Sequence, residues 1–266
     1  MALAARSPRR KRFGQHFLHD PRILERIMRA LDPQSGDHLV EIGPGRGALT
    51  AHLLCCQGCT LDAIEIDRDL AAQLRERFAA ASNWVLHEAD ALEFDFPGLS
   101  RERGGPLRIV GNLPYNISTP LLFHLLEAAA VLTDLTVMLQ REVVARLAAR
   151  PGESDYGRLT VMLAPVVAVE WLFDVGPGAF QPPPRVWSAV ARLRVREAPL
   201  FEVSPHYAAL VAAAFSKRRK TLRNALAELL DRDRISACGI DPGARPGTLT
   251  PADFNKLAEA LDRTRA

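Results

Sequence analysis

Glu41-Ile42-Gly43-Pro44-Gly45-Arg46-Gly47 decides how this chain is read. It comes after His38-Leu-Val-Glu-Ile42, a short run of strand character, and precedes Ala48–Gln57, which reads as a helix. Glycines between a strand and a helix let the chain turn sharply and let a ligand approach the backbone. The helix start behind them offers N–H groups with no partner inside the helix. A tight turn alone also calls for glycine, so the loop gains its meaning from the strand beyond it. That strand, Thr60–Ile66, carries Glu65, 22 residues after Gly43. An acid there is placed to accept both hydroxyls of a ribose.

The spacing is Gly-x-Gly-x-Gly, and Pro44 removes an N–H that a pyrophosphate would use. Both points turn the reading from a dinucleotide towards a nucleoside-containing cofactor without a pyrophosphate, and S-adenosyl-L-methionine is the one expected. Outward from this loop the pattern alternates. Asp20 and Pro21 are an N-cap and first helical residue for Pro21–Leu31. Asp69–Ala80 reads as a helix, Trp84–Leu86 and Leu107–Val110 as strands, Pro120–Ala130 as a helix and Leu135–Leu139 as a strand. Strands alternating with helices of about a dozen residues predict a parallel α/β sheet with right-handed crossovers. Helices at Arg141–Ala149 and around Tyr156–Leu163 come next, then strands near Val167–Phe173 and Val186–Arg194 separated by the Pro/Gly-rich Gly176–Arg185. From about residue 198 the strands stop, and His206–Ala214, Lys220–Leu230 and Pro251–Leu261 read as helices. The expected organisation is an α/β domain over residues 1–198, with a basic arm at 1–20, and a small all-helical domain over 199–266.

Two further sites lie at carboxyl ends of strands, the ligand side of an open α/β sheet. Asp90, in Glu88-Ala89-Asp90-Ala91-Leu92, can accept from the exocyclic amine of a cofactor adenine or serve as a helix N-cap. Gly111-Asn112-Leu113-Pro114-Tyr115 offers the amide oxygen of Asn112, the carbonyl of Pro114 and the aromatic face of Tyr115. Two acceptors converging on an exocyclic NH₂ draw its lone pair out of ring conjugation, so that the nitrogen attacks a methyl sulfonium. Tyr115 would stack a flipped-out base. Such a mechanism relies on positioning and electrostatics rather than on acid–base groups. A proline turn capping a strand accounts for the same string in proteins without this chemistry.

The formal net charge is only +3, but ten bases fall in two acid-free blocks. Arg6, Arg9, Arg10, Lys11 and Arg12 form one; Lys217, Arg218, Arg219, Lys220 and Arg223 form the other. Without them 24 bases face 31 acids. An acidic body with two basic segments fits a polyanion partner, nucleic acid first, better than two solvated faces. If Lys220–Leu230 is helical, Lys217, Lys220 and Arg223 fall near one face. No run approaches the roughly 18 apolar residues of a membrane helix, and no secretory signal is read. Cys56-Gln57-Gly58-Cys59 sits at a helix end without a second ligand pair, so reduced structural thiols are expected and no metal site. Trp84, Trp171 and Trp187 sit in strand patterns and are read as core.

Taken in order, eight blocks resemble the KsgA-type ribosomal RNA adenine N6,N6-dimethyltransferases, relatives of the Erm resistance methyltransferases. They are Lys11–Leu18, Glu41–Gly45, Glu65–Asp67, Ala89–Leu92, Gly111–Tyr115, Tyr156–Leu159, Phe180–Pro184 with Ser188, and Phe215–Asn224. The resemblance implies a Rossmann-like class I S-adenosylmethionine-dependent methyltransferase sheet with a small C-terminal helical domain. It places cofactor contacts on His16, Leu18, Gly43, Glu65, Asp90 and Asn112, where His16 stands at a position more often Asn. It puts the target adenine on Asn112, Pro114 and Tyr115, with Phe180 either a second stacking partner or a core plug. It implies a cytoplasmic, monomeric enzyme whose partner is the small ribosomal subunit. The substrate would be two neighbouring adenosines in the 3′-terminal hairpin loop of 16S rRNA, modified late in assembly, with Lys217, Lys220 and Arg223 contacting RNA. The rivals are an Erm-type large-subunit enzyme and a noncatalytic RNA-binding assembly or transcription factor on the same fold.

Overall fold

The computed structural model describes residues 15–262; the basic residues Arg6–Arg12 lie outside them. Its centre is a seven-stranded sheet built on β2 (His38–Ile42), β3 (Thr60–Ile64), β4 (Trp84–His87), β5 (Leu107–Asn112), β6 (Leu132–Gln140), β7 (Val167–Val175) and β9 (Ser188–Val195). The order is β4-β3-β2-β5-β6-β9-β7, and β4, β3, β2, β5 and β6 run parallel, as the alternating pattern predicts. After β2 the chain goes one way, to β3; β5 returns on the other side. Loops leaving β2 and β5 therefore diverge and open a crevice.

That crevice depends on a close approach of two backbones. A Cβ on Gly111 would stand 2.4 Å from the Ile42 carbonyl oxygen, so only glycine lets the end of β5 lie against the end of β2. The helices that flank the strands are α1 (Pro21–Leu31), α2 (Ala48–Leu53), α3 (Arg68–Arg77), α4 (Phe96–Arg103) and α5 (Ser118–Glu127). α1 begins and ends where its sequence predicts, and the Asp20 side chain accepts from Arg22 N–H and Ile23 N–H. α2 stops four residues short of the predicted Gln57, and a turn leads to Gly58 at φ 76°. α4 has no counterpart among the expected elements, although Asp95 caps its N-terminus and Gly104 closes it at φ 75°.

Two residues of extended chain ahead of α1, β1 (Phe17–Leu18), pair antiparallel with β8 (Phe180–Gln181), in the register Phe17↔Gln181 and Leu18↔Phe180. Phe180 is 2% exposed and packs in the apolar core with Leu18, Val175 and Val190. Of the two readings of Phe180, the core plug is the one observed. It offers no open face for a base, because β8 turns it inward under the strap formed by β1.

The chain forms two compact units. One takes residues up to Gln140 with Leu172–Val190; the other takes Arg141–Trp171 with Ala191 onward. The compact units thus do not divide at residue 198. The second unit includes α6 (Arg141–Ala148), α7 (Arg158–Leu163), α8 (Tyr207–Ser216), α9 (Leu222–Ala225), α10 (Arg232–Ala237) and α11 (Pro251–Asp262). Its core explains the difference. Tyr156 and Val161 are buried with Tyr207, Leu210, Phe254 and Leu257, and the Tyr156 hydroxyl donates to the Leu249 carbonyl at 2.7 Å.

The expected helix Lys220–Leu230 is not formed as one element. α9 has four residues and ends at Leu226, whose φ of −105° and ψ of 11° leave the helical region. Lys217 caps the end of α8, Lys220 lies in the intervening turn and only Arg223 is on α9, so the three bases do not share a helix face.

Candidate functional site

A cavity of about 370 Å³ opens at the crevice between the ends of β2 and β5. It is lined by every residue expected to touch a cofactor, His16, Leu18, Gly43, Glu65, Asp90 and Asn112, and by Pro114 and Tyr115. Phe180, Lys217, Lys220 and Arg223 are not among its walls.

Gly43, Gly45 and Gly47 take φ of 69°, 58° and 76°, a left-handed path that ordinary side chains resist. The loop they shape brings the Gly45 N–H to Glu65. The Gly45 N–H donates to Glu65 Oε2 at 3.1 Å and the Asp67 N–H to Oε1 at 2.9 Å. The carboxylate accepts from backbone and, with about four lone-pair directions, keeps capacity for a ligand. Glu65 is 5% exposed, and burial pushes its carboxyl up against the pull of those N–H groups. Asp90 is not a helix N-cap: its Oδ1 accepts the Leu92 N–H at 2.9 Å in a turn. Ile66, 47% exposed, supplies an apolar wall of the same cavity.

Asn112 is the most informative side chain. Its Nδ2 donates to the His16 carbonyl at 3.0 Å, while its Oδ1 is buried with no hydrogen-bond partner. Buried polar atoms are nearly always paired, so an orphan acceptor on a residue that lines this cavity awaits an N–H donor. The strap thus orients the amide. It does so through the main chain of residue 16, which explains why a histidine is accommodated. The His16 ring turns aside, with Nδ1 2.8 Å from the Pro182 carbonyl and the ring stacked on Tyr115 at 5.9 Å between centroids.

The Pro114 carbonyl already accepts the Ile117 N–H at 3.2 Å, leaving one lone pair of two. The Tyr115 hydroxyl lies 2.5 Å from Ser188 Oγ, which fixes the ring, and burial pushes the phenol up. Phe17 completes the cover: a Cβ on Gly45 would meet its ring at 3.0 Å, and the Arg46 guanidinium sits 4.5 Å above it. Gln15 Nε2 donates to Asp67 Oδ2 at 3.1 Å.

One functional candidate is missing from the sequence-based set. Glu41 lines the cavity, is 2% exposed and accepts the Thr50 hydroxyl at 2.6 Å. Burial pushes its carboxyl up to about 8. Its position within the glycine motif is legible; its burial is not, because it depends on the packing of the chain around β2. The Cys56 thiol is likewise pushed up by burial, to about 11, and remains protonated.

A parallel sheet with a glycine loop and an acid after the neighbouring strand defines a Rossmann-like methyltransferase fold. Two solved structures share it over almost their full length. A dimethyladenosine transferase from Plasmodium falciparum matches with TM-score 0.82 at 26% identity, covering 94% of this chain and 98% of that one. The 23S rRNA methyltransferase ErmE matches with TM-score 0.72 at 31% identity, covering 92% and 99%. A family model described as ribosomal RNA adenine dimethylase spans residues 6–263, and the chain belongs to that family. Among its relatives is a ribosomal RNA small subunit methyltransferase A from Nitrosococcus oceani, 56% identical over 250 residues, 93% of this chain and 94% of the relative. Another of the same name, from Pseudomonas putida, is 52% identical over 257 residues, 95% and 94%.

Proposed function

We propose that this chain dimethylates N6 of two adjacent adenosines in the 3′-terminal hairpin loop of 16S rRNA, acting as a cytoplasmic monomer on the small ribosomal subunit late in its assembly. The observation that carries the chemistry is the partnerless Asn112 Oδ1 at the crevice. S-adenosyl-L-methionine is the cofactor, and it supplies a methyl group on a positively charged sulfur. Glu65 uses its remaining lone pairs on the ribose hydroxyls, Asp90 accepts from the adenine amine, and Gly43, His16, Leu18 and Asn112 enclose the rest. Asn112 Oδ1 and the Pro114 carbonyl accept hydrogens from N6 of the target adenine, and Tyr115 stacks its ring. These acceptors localise the nitrogen lone pair for attack. The methylated nitrogen is cationic and loses its proton to water, so no side chain has to act as a base.

The small-subunit substrate is supported by relatives that match more than nine-tenths of this chain and are identical at more than half of the matched positions. Lys217, Lys220 and Arg223 are exposed and serve as phosphate contacts, each from its own local segment. The test is radiolabelled methyl transfer to unmodified small subunits, with the labelled nucleoside identified by mass. N6,N6-dimethyladenosine in small-subunit RNA is the expected product. Label in large-subunit RNA would favour the Erm-type reading, and no transfer a noncatalytic role.

A further inference from the structure

The strand pattern around Trp187 places it in the core, and the structure overturns that expectation. Trp187 is 55% exposed, more than any other large apolar side chain among the described residues. Leaving an indole in water is unfavourable, and tryptophan is highly buried on average in folded proteins. The ring is seated, however: a Cβ on Gly176 would lie 3.6 Å from its Cη2 and Cζ3 atoms, so the ring lies over a position kept bare by glycine. The indole N–H has no partner among the described residues.

Its neighbours give the exposure a direction. Ser188, the next residue, is buried and holds the Tyr115 hydroxyl at 2.5 Å. On its other side Val186 is 44% exposed and Arg185 is exposed, with no ion pair among the described residues. An open aromatic face with an uncommitted guanidinium two residues away along the chain is a combination by which proteins hold single-stranded nucleic acid: the ring stacks a base, and the cation meets the phosphate. Here Trp187 directly precedes Ser188, whose hydroxyl fixes Tyr115, and Arg185 comes three residues before it.

We propose that Trp187 is a stacking platform for a nucleotide that flanks the target adenosine, with Arg185 on that nucleotide's phosphate. The inference rests on the RNA substrate proposed above. It adds a second aromatic to Tyr115, in place of the buried Phe180. A flipped adenosine needs its neighbours held, because the base it leaves behind loses a stacking partner.

Methyl transfer to unmodified small subunits, measured as KM and kcat for the RNA substrate, tests this in Trp187→Ala, Trp187→Leu and Trp187→Phe. Losing one stacked base weakens binding roughly 5- to 150-fold, so KM for RNA rises by that factor in Trp187→Ala. Cofactor affinity by calorimetry stays unchanged, which also shows that the variant is folded. Trp187→Phe recovers most of the loss, whereas Trp187→Leu, apolar without a π face, does not. RNA quenches the tryptophan fluorescence of the wild type, and less so in Trp187→Phe. A KM within twofold of wild type in Trp187→Ala overturns the platform. So does full recovery by Trp187→Leu, which would mark an apolar contact with a protein. If the wild type itself labels no adenosine in small-subunit RNA, the functional reading falls and the platform with it; if it labels normally while all variants match it, the platform alone falls.

Discussion

At the scale of single residues, three side chains around one cavity carry different burdens. Asn112 has its amide nitrogen held by the strap and its buried oxygen left without a partner, so Asn112→Ala should keep the fold and lose turnover. Removing one aimed polar group at a reacting centre costs about 10²–10³ in rate; single-turnover kinetics will show it, and a loss below tenfold would refute the assignment. Glu65→Ala should weaken cofactor binding roughly ten- to hundredfold, the worth of charged hydrogen bonds of about 1.5–3 kcal/mol, with RNA affinity unaltered in calorimetry. Glu41 differs in sign. Its folded carboxyl titrates near 8, above its ordinary value, so the folded state binds a proton that the unfolded chain has released. Stability therefore falls as pH rises from about 4.5 towards 8. Glu41→Gln keeps an acceptor for Thr50 and has no charge to bury, so its melting temperature should gain on wild type steadily between pH 5 and 8; a constant gap would refute the burial argument. The places of Glu65 and Asn112 on the cavity wall were legible because strand ends and glycine loops are local patterns. The Glu41 environment was not, since it depends on how Thr50 and Glu65 are folded against β2. The exposure of Trp187 was hidden for a related reason: strand-like alternation says nothing about whether the facing layer exists.

Among the elements, the ones read most faithfully carry their own punctuation. Asp20 and Pro21 set the start of α1, and the apolar run His38–Ile42 matches β2 residue for residue. Local composition misled where tertiary bonds took over. Lys220–Leu230 is rich in helix formers, yet the chain leaves the helical region at Leu226, while the Leu222 and Arg223 N–H groups of the first turn are met by the carbonyls of Ala244 and Pro242. Propensity of a few tenths of a kcal/mol per residue is too weak to hold a helix through such a bend. β1 and β8, two residues each, have no local signature at all. The crevice itself depends on the β2–β5 approach. Gly111→Ala should force the strand ends apart at the Ile42 carbonyl, costing about 1–3 kcal/mol as overpacking does and weakening cofactor binding as well. Gly178→Ala, where a Cβ meets nothing within 4 Å, is the control expected to melt like wild type. Equal melting curves for the two would show that β5 has slack at this point.

For the whole molecule, charge and connectivity matter more than any single interaction. Lys217, Lys220 and Arg223 do not share a helix face, but counterion release depends on the number of phosphates met rather than on periodicity. Changing all three to Gln should flatten the slope of log affinity for small subunits against log salt by roughly 0.7–0.9 for each phosphate no longer neutralised. Cofactor affinity should hold, since none of the three lines the cavity. Filter binding across a salt series decides it, and an unchanged slope would make the block a solvated surface. Lys217 is 3.5 Å from Glu228 and is expected to contribute least of the three. The compact units were the hardest feature to read, because nothing in composition marks Gln140 as an edge; only the burial of Tyr156 among later helices does. The strap has a consequence in time. Leu18 pairs with Phe180, so the cover made near the start of the chain has to wait for a partner made much later. At about 5–20 residues per second of synthesis that delay is of the order of ten to thirty seconds. Until then the glycine loop, Glu65 and Asn112 exist, but nothing turns the Asn112 amide. A catalyst proposed to act on ribosomes is thereby kept inert for most of the time it is being made by one.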